Sequence, residues 1–154
     1  MLLTNIKLHI NPIYHLEPPS VLVKMDNNTL HSGELREDSI LEFSGLLSAD
    51  KHKITIELLN KKDSDCYDGH DKAVVIDSIS FFNVTSIYTL LNSTYAPQYS
   101  KAYLKSQLEM NIIPDDVLHA CNYLGWNGKW TTCFSVPIFA WLHRVENLGW
   151  VYSP

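Results

Sequence analysis

The sequence predicts a mostly β protein: an antiparallel, jelly-roll-like β-sandwich closed by a short C-terminal helix. Three observations predict it. Several stretches alternate apolar and polar residues with period two, turn-forming residues separate them at short intervals, and no strand-helix-strand rhythm interrupts the pattern. A chain of 154 residues with 45% apolar content is long enough to bury one core, and no internal repeat or low-complexity tract divides it, so one domain over residues 1–154 is expected.

The first strand is "NIKLHI", with Ile6, Leu8 and Ile10 on one face, and Asn11-Pro12 is expected to end it. After Pro18-Pro19, "SVLVKM" runs into Asp26-Asn27-Asn28, whose short side chains bond their own backbone and tolerate positive φ, so a hairpin follows. "SILEFSGLL" and "HKITIELLN" flank Ser48-Ala49-Asp50-Lys51, and His52, Ile54, Ile56 and Leu58 share a face that should be core. The polar stretch "KKDSDCYDGHD" reads as a loop before the strong strand "KAVVIDSISFF". Residues 92–113 have mixed periodicity and are open between an irregular arm or insertion and a short helix at "KAYLKSQLEM". A final helix near 137–147 starts at Pro137 as first helical residue and repeats Ile138, Trp141, Leu142 and Val145 at helical spacing.

"HACNYLGWNGKW" places Trp126 and Trp130 on either side of Asn127-Gly128. Read as a two-residue type I′ hairpin turn, the pair sets Trp126 opposite Lys129. Parity then puts Cys121, Tyr123, Trp130, Phe134 and Val136 on a core face, and Leu124, Trp126, Lys129, Thr131 and Cys133 on the other. On the more polar face Trp126 is either covered by the terminal helix, with Trp141 and Trp150 nearby, or offered to a sugar or a neighbouring subunit; coverage is the favoured reading.

Twelve Lys plus Arg against seventeen Asp plus Glu give a net charge of −5, which lacks the basic field that nucleic-acid binding draws on. No apolar run is long enough to cross a bilayer, and "MLLTNIKLHINP" breaks where a signal core would need to be apolar, so a protein made and kept in soluble form is expected. Three cysteines at irregular spacing, Cys66, Cys121 and Cys133, argue against a disulfide framework. There is no HExxH, GxSxG, P-loop or Cys-x-x-Cys motif, so no catalytic residue is assigned. Glu34, Glu37 and Asp38 lie in one turn, where a glycosidase pair could not face each other across a sugar, and His119, Cys121, Cys133 and His143 lack finger spacing for zinc.

Three segments carry a resemblance: "PPSVLVKMDNNTLHSG", "ILEFSGLLSADKHKITIELLNKKDSD" and "DKAVVIDSISFFNV". An apolar strand running into Asp-Asn, a His-x-Ile-x-Ile strand ending in Asn before acidic residues, and an Asp-led strand with Val-Ile-Asp-x-Ile together resemble calcium-dependent, xylan-binding type carbohydrate-binding modules, over roughly residues 18–84. The later stretch "LGWNGKWTTCFSVPIFAWL" resembles in style the ends of small sandwich proteins encoded by tailed bacteriophages, which serve as virion appendages or as tail and neck components.

The first resemblance implies a calcium ion held by loop carboxylates, for which Asp63, Asp65, Asp68 and Asp71 are the right residue type; Asp77 lies inside an apolar strand, where a carboxylate needs a partner or a metal. Their spacing is not that of an EF-hand, and Lys61, Lys62 and Lys72 neutralise part of the charge, so a solvated acidic loop is the favoured reading of the first four. For Asp77 a backbone-bonded structural role is as acceptable as a ligand role. The candidate metal set is therefore Asp63, Asp65, Asp71 and Asp77, with calcium a possible cofactor and otherwise none. Trp126, Tyr123 and Trp150 are the candidate ligand- or partner-binding residues.

Two function classes follow. The first is a non-enzymatic bacteriophage virion protein of tail, neck or capsid association, assembled in the host cytoplasm and acting through homo-oligomer and virion-protein contacts. The alternative is a calcium-assisted glycan-binding module for host-surface attachment. On the sequence, assembly ranks first because a shared fold does not carry function with it.

Overall fold

The computed structural model describes residues 1–147. Among the described residues eleven strands, all paired antiparallel, form two sheets. In the first, β1 (Leu2–Ile13) lies between β4 (Ser39–Leu47) and β6 (Ala73–Phe81), and β6 also pairs with β7 (Val84–Thr85) and β10 (Tyr123–Leu124). The second runs β3 (Asn28–Glu34), β2 (Ser20–Met25), β5 (Lys51–Leu58), β11 (Asn127–Ser135), β8 (Thr94–Gln98), β9 (Leu118–His119). The sequence stretch between β4 and β5 carries the chain from one sheet to the other, and the sandwich class expected from the alternation is the one observed.

The inner faces are those the period-two pattern marks. Ile6, Leu8 and Ile10 from β1 meet Ile54, Ile56 and Leu58 from β5 in one core, joined by Val21, Val23 and Met25. β1 continues through Asn11-Pro12 to Ile13, beyond the expected stop, because both residues stay paired to β6 (Asn11 with Val75, Pro12 with Val74). The Asp26-Asn27 turn joins β2 to β3 as a hairpin, with Asp26 at φ 51°.

Residues 92–113 contain β8, a fully paired strand of the second sheet, and the helix α2 (Lys101–Glu109), none of whose side chains is buried. The four-residue α1 (Tyr88–Leu91) precedes them. At the C-terminal end α3 (Ile138–Glu146) buries Ile138, Trp141 and Leu142, and Pro137 is its N-cap residue rather than its first helical one. Trp141 packs against Phe81, Tyr88 and Phe134, inside the core and not over Trp126.

The Asn127-Gly128 hairpin is a misreading. Both residues open β11, paired with Gln98 and Pro97 of β8. Gly128 does take a positive φ, 136°, but it serves a close approach of strands: a Cβ there would lie 2.2 Å from the Ala96 carbonyl oxygen. The face assignment holds for Trp130 and Phe134 of β11 and for Val136 just beyond it, all buried, since the alternation along β11 does not depend on the turn. It fails for Tyr123 and Leu124. They form β10 in the other sheet, where Leu124 is buried and Tyr123 is 42% exposed.

Candidate functional site

The loop 61–72, which leaves β5 and enters β6, borders two clefts. One, of about 270 Å3, is lined by His15, Glu17, Tyr67 and Lys72 among others, with the His15 and His70 rings stacked 3.8 Å apart beside it. The other, of about 260 Å3, is lined by Lys61, Lys62, Asp63, Gln98, Trp126 and Asn127, together with Ser100. Trp126 is half-buried. Its indole packs against Tyr103 of α2, with centroids 4.7 Å apart, and edge-on against Tyr99 at 5.7 Å, so α2 and its lead-in cover part of it, where the terminal helix was expected, and the rest lines the cleft. The Lys61 ammonium lies 5.3 Å from the centroid of the same ring.

The backbone beneath the indole is held from inside the sandwich. Tyr95, buried on β8, donates its hydroxyl proton to the Trp126 carbonyl, and the hydroxyl oxygen accepts from the Trp126 N–H at 3.1 Å. Burial pushes the Tyr95 phenol well above its ordinary value, against the pull of its bond to Trp126, so the hydroxyl stays protonated as this clamp requires. Asn127 is spent on structure as well, since its side chain accepts from the Lys61 N–H at 2.7 Å and donates to the Lys61 carbonyl at 3.1 Å. The side chains of Asp63 and Gln98 have no hydrogen bond to another described residue and line the cleft.

Two lysines sit under this loop. The Lys61 side chain is 3% exposed, and its ammonium donates to the Asp71 carboxylate, to the Lys72 carbonyl at 2.9 Å and to the Gly125 carbonyl at 2.8 Å. The Lys72 side chain is 1% exposed; its ammonium lies 3.2 Å from Asp65, 3.3 Å from the Asn60 carbonyl and 3.6 Å from Glu17. Asp71 also accepts from the Tyr123 hydroxyl at 2.5 Å and from the Cys66 thiol at 3.2 Å. Partial burial alone would raise the Asp71 carboxyl; the bonds from Lys61, Tyr123 and Cys66 outweigh it and hold the group below the usual carboxylate range. Burial raises the Cys66 thiol, and its bond to Asp71 adds to that, which keeps it a donor. All three cysteines are free.

The four candidate ligand aspartates do not form one set. Asp63 is exposed at the cleft edge, Asp65 and Asp71 are engaged by lysines, and Asp77 is held elsewhere, on β6. There it is the extra residue of a β-bulge, accepting from the Asn11 amide and lying 3.5 Å from the His9 ring. Among the described residues no group of three or more His, Cys, Asp or Glu side chains is disposed to hold a metal ion. Of the candidate ligand-binding residues, Trp126 lines a cleft, Tyr123 is exposed with its hydroxyl on Asp71, and Trp150 lies outside the described residues. Sequence reasoning passed over Tyr95, Tyr99 and Tyr103 altogether; the alternation of Tyr95 with Pro97 across "STYAPQYS" is the one signal that could have placed Tyr95 inside a strand.

Comparison of this architecture with solved structures finds vCBM60. Its selenomethionine form, described as linking two families of calcium-dependent carbohydrate binding modules by circular permutation, superposes with a TM-score of 0.50 at 13% identity, covering 84% of this chain and 89% of that one. A complex of vCBM60 with galactobiose gives 0.50 at 12% identity over 83% and 96%. The chain has a carbohydrate-binding-module-like fold. No family model and no curated protein sequence matches the chain. Calcium, on which the families named with vCBM60 depend, does not fit the carboxylates of loop 61–72: Asp65 and Asp71 already have cationic partners in Lys72 and Lys61.

Proposed function

We propose that this protein is a non-catalytic carbohydrate-binding module and that the cleft beside Trp126 is its sugar site. The observation that carries the reading is the conjunction, on a fold shared with vCBM60, of a half-buried indole whose backbone is clamped by Tyr95 with a shallow cleft edged by Asp63, Gln98 and Lys62. Sugars present apolar C–H faces and a ring of hydroxyls, so a fixed aromatic surface with adjacent acceptors and donors matches them. At about 260 Å3 the cleft lies just under the roughly 300–1,000 Å3 of enclosed ligand sites, as suits a subsite for a short oligosaccharide segment. The protein side is pre-organised, since Trp126 is already wedged by Tyr99, Tyr103 and Lys61, and little freedom remains to be lost on binding.

Titration with soluble xylo-, gluco- and galacto-oligosaccharides tests it. Binding that falls about 30-fold in Trp126→Ala, as for an aromatic hot spot of about 2 kcal/mol, supports the reading. Absence of binding to every sugar, or binding that Trp126→Ala leaves intact, overturns it.

Assembly with further copies or with virion proteins is a second reading, favoured by one observation. On the outer face of the first sheet Leu3 (63% exposed) pairs in register with Leu46 (60%), and Ile40 (64%) lies further along β4, the end strand of that sheet among the described residues. A mass in solution above that of one chain, returned to a single chain by Leu46→Lys, supports it; a concentration-independent monomer does not.

A further inference from the structure

We infer that the ammonium groups of Lys61 and Lys72 hold loop 61–72 together as internal cations, so that the loop is independent of calcium. The Lys61 ammonium has one carboxylate and two backbone carbonyls around it, from Asp71, Lys72 and Gly125. Carboxylates and backbone carbonyls are the donor types a hard cation takes, but three oxygens match the three N–H bonds of an ammonium and fall well short of the six to eight that calcium requires. Lys72 repeats the pattern with Asp65, Glu17 and the Asn60 carbonyl.

The geometry leaves no room for exchange between the two kinds of cation. Side chains 3% and 1% exposed cannot swing out to solvent without unpacking the loop, and a divalent ion entering at Asp71 would leave a buried ammonium facing it. The single contact set of Lys61 also ties three places together: the end of β5, the entry to β6 and the Gly125 link between β10 and β11. Because Lys61 lies 5.3 Å from the Trp126 centroid and its backbone is gripped by Asn127, the internal cation sets one wall of the proposed sugar cleft as well.

The inference concerns how the loop is held and not what the cleft binds, and thermal unfolding reads it without any sugar, so its failure and that of the glycan reading are separately visible. The full chain is melted in millimolar calcium and, separately, in a calcium chelator. The expected result is one melting temperature in both, with Lys61→Met lower by about 10 °C, since removing one partner of a buried ion pair exposes the other's unpaired charge. Lys61→Met/Asp71→Asn, which removes both charges, should recover part of that loss. If Lys61→Met does not fold, Lys72→Gln and the wild-type comparison still decide. A melting temperature raised by calcium in the wild type, and no longer raised in Asp71→Asn, overturns the inference; so does a Lys61→Met protein as stable as the wild type.

Discussion

The hydroxyl of Tyr95 and the peptide unit of Trp126 exchange two hydrogen bonds, one in each direction, across the join between the core and the proposed sugar cleft. Tyr95 is 1% exposed and paired with Trp130 in the β8–β11 ladder, so its position is set by the sheet. Tyr95→Phe keeps the packing and leaves the Trp126 N–H and C=O without that partner. A loss of about 1–3 kcal/mol in stability is expected from urea unfolding, accompanied by weaker oligosaccharide binding. A Phe variant with native stability and native affinity would show that the clamp does not position the indole.

Gly128 is required by the approach of β8. Alanine there meets the Ala96 carbonyl at 2.2 Å and holds a φ of 136° that side chains rarely adopt. Gly128→Ala should cost about 3 kcal/mol or more by denaturant midpoint. A cost under about 0.5 kcal/mol, typical of an unconstrained surface site, would contradict the register of β8 on β11.

His52 links stability to pH near neutrality. Its Nδ1 lies 2.6 Å from an Asp26 carboxylate oxygen and its Nε2 2.9 Å from the Ser48 carbonyl; both oxygens are acceptors, so the two contacts are hydrogen bonds together only when the ring is an imidazolium. Burial alone would lower the ring's pKa; the bond to Ser48 and the bond and charge of Asp26 outweigh it and raise the pKa above its ordinary value. A raised folded-state pKa gives stability that is complete below about pH 6.5 and is lost as pH rises through the folded value. The urea midpoint should therefore fall on going from pH 6 to pH 9, and this fall should flatten in Asp26→Asn. A wild-type midpoint that is level across that range would contradict the imidazolium assignment.

Asp71 acts with the opposite sign. Its carboxyl is held below the usual range, so its contribution is present above about pH 4 and is lost as pH falls through the lowered folded value. At neutral pH Asp71→Asn should destabilise by about 2 kcal/mol, below the 3–5 typical of a broken buried pair because Asp71 is 30% exposed. The gap between variant and wild type should close as the pH is lowered toward 3. A gap that stays constant with pH would mean that the asparagine costs packing and not charge.

Most of the sandwich was legible because its strands bury one face. Ile6, Leu8 and Ile10, and Ile54, Ile56 and Leu58, alternate with exposed or half-exposed neighbours, and no other secondary structure buries that pattern on one side. Asn127-Gly128 was misleading because a positive-φ glycine serves a tight turn and a close strand approach equally well, and only the presence of β8 tells them apart. The cover on Trp126 was not readable either: α2 buries no side chain, so it carries no strong apolar stripe to announce where it docks. For the loop, Lys61, Lys62 and Lys72 were readable as local neutralisers of the aspartates. That two of them are buried was not, since Lys61 depends on Gly125, 64 residues away, for one of its three acceptors.

The central claim, that the Trp126 cleft binds carbohydrate, is tested most directly by calorimetric titration of the wild-type protein and Trp126→Ala with one panel of xylo-, gluco- and galacto-oligosaccharides in millimolar calcium. Saturable wild-type binding to at least one sugar is expected, weakened about 30-fold by the substitution. Equal affinity in the two proteins, or no heat with any sugar, would contradict it.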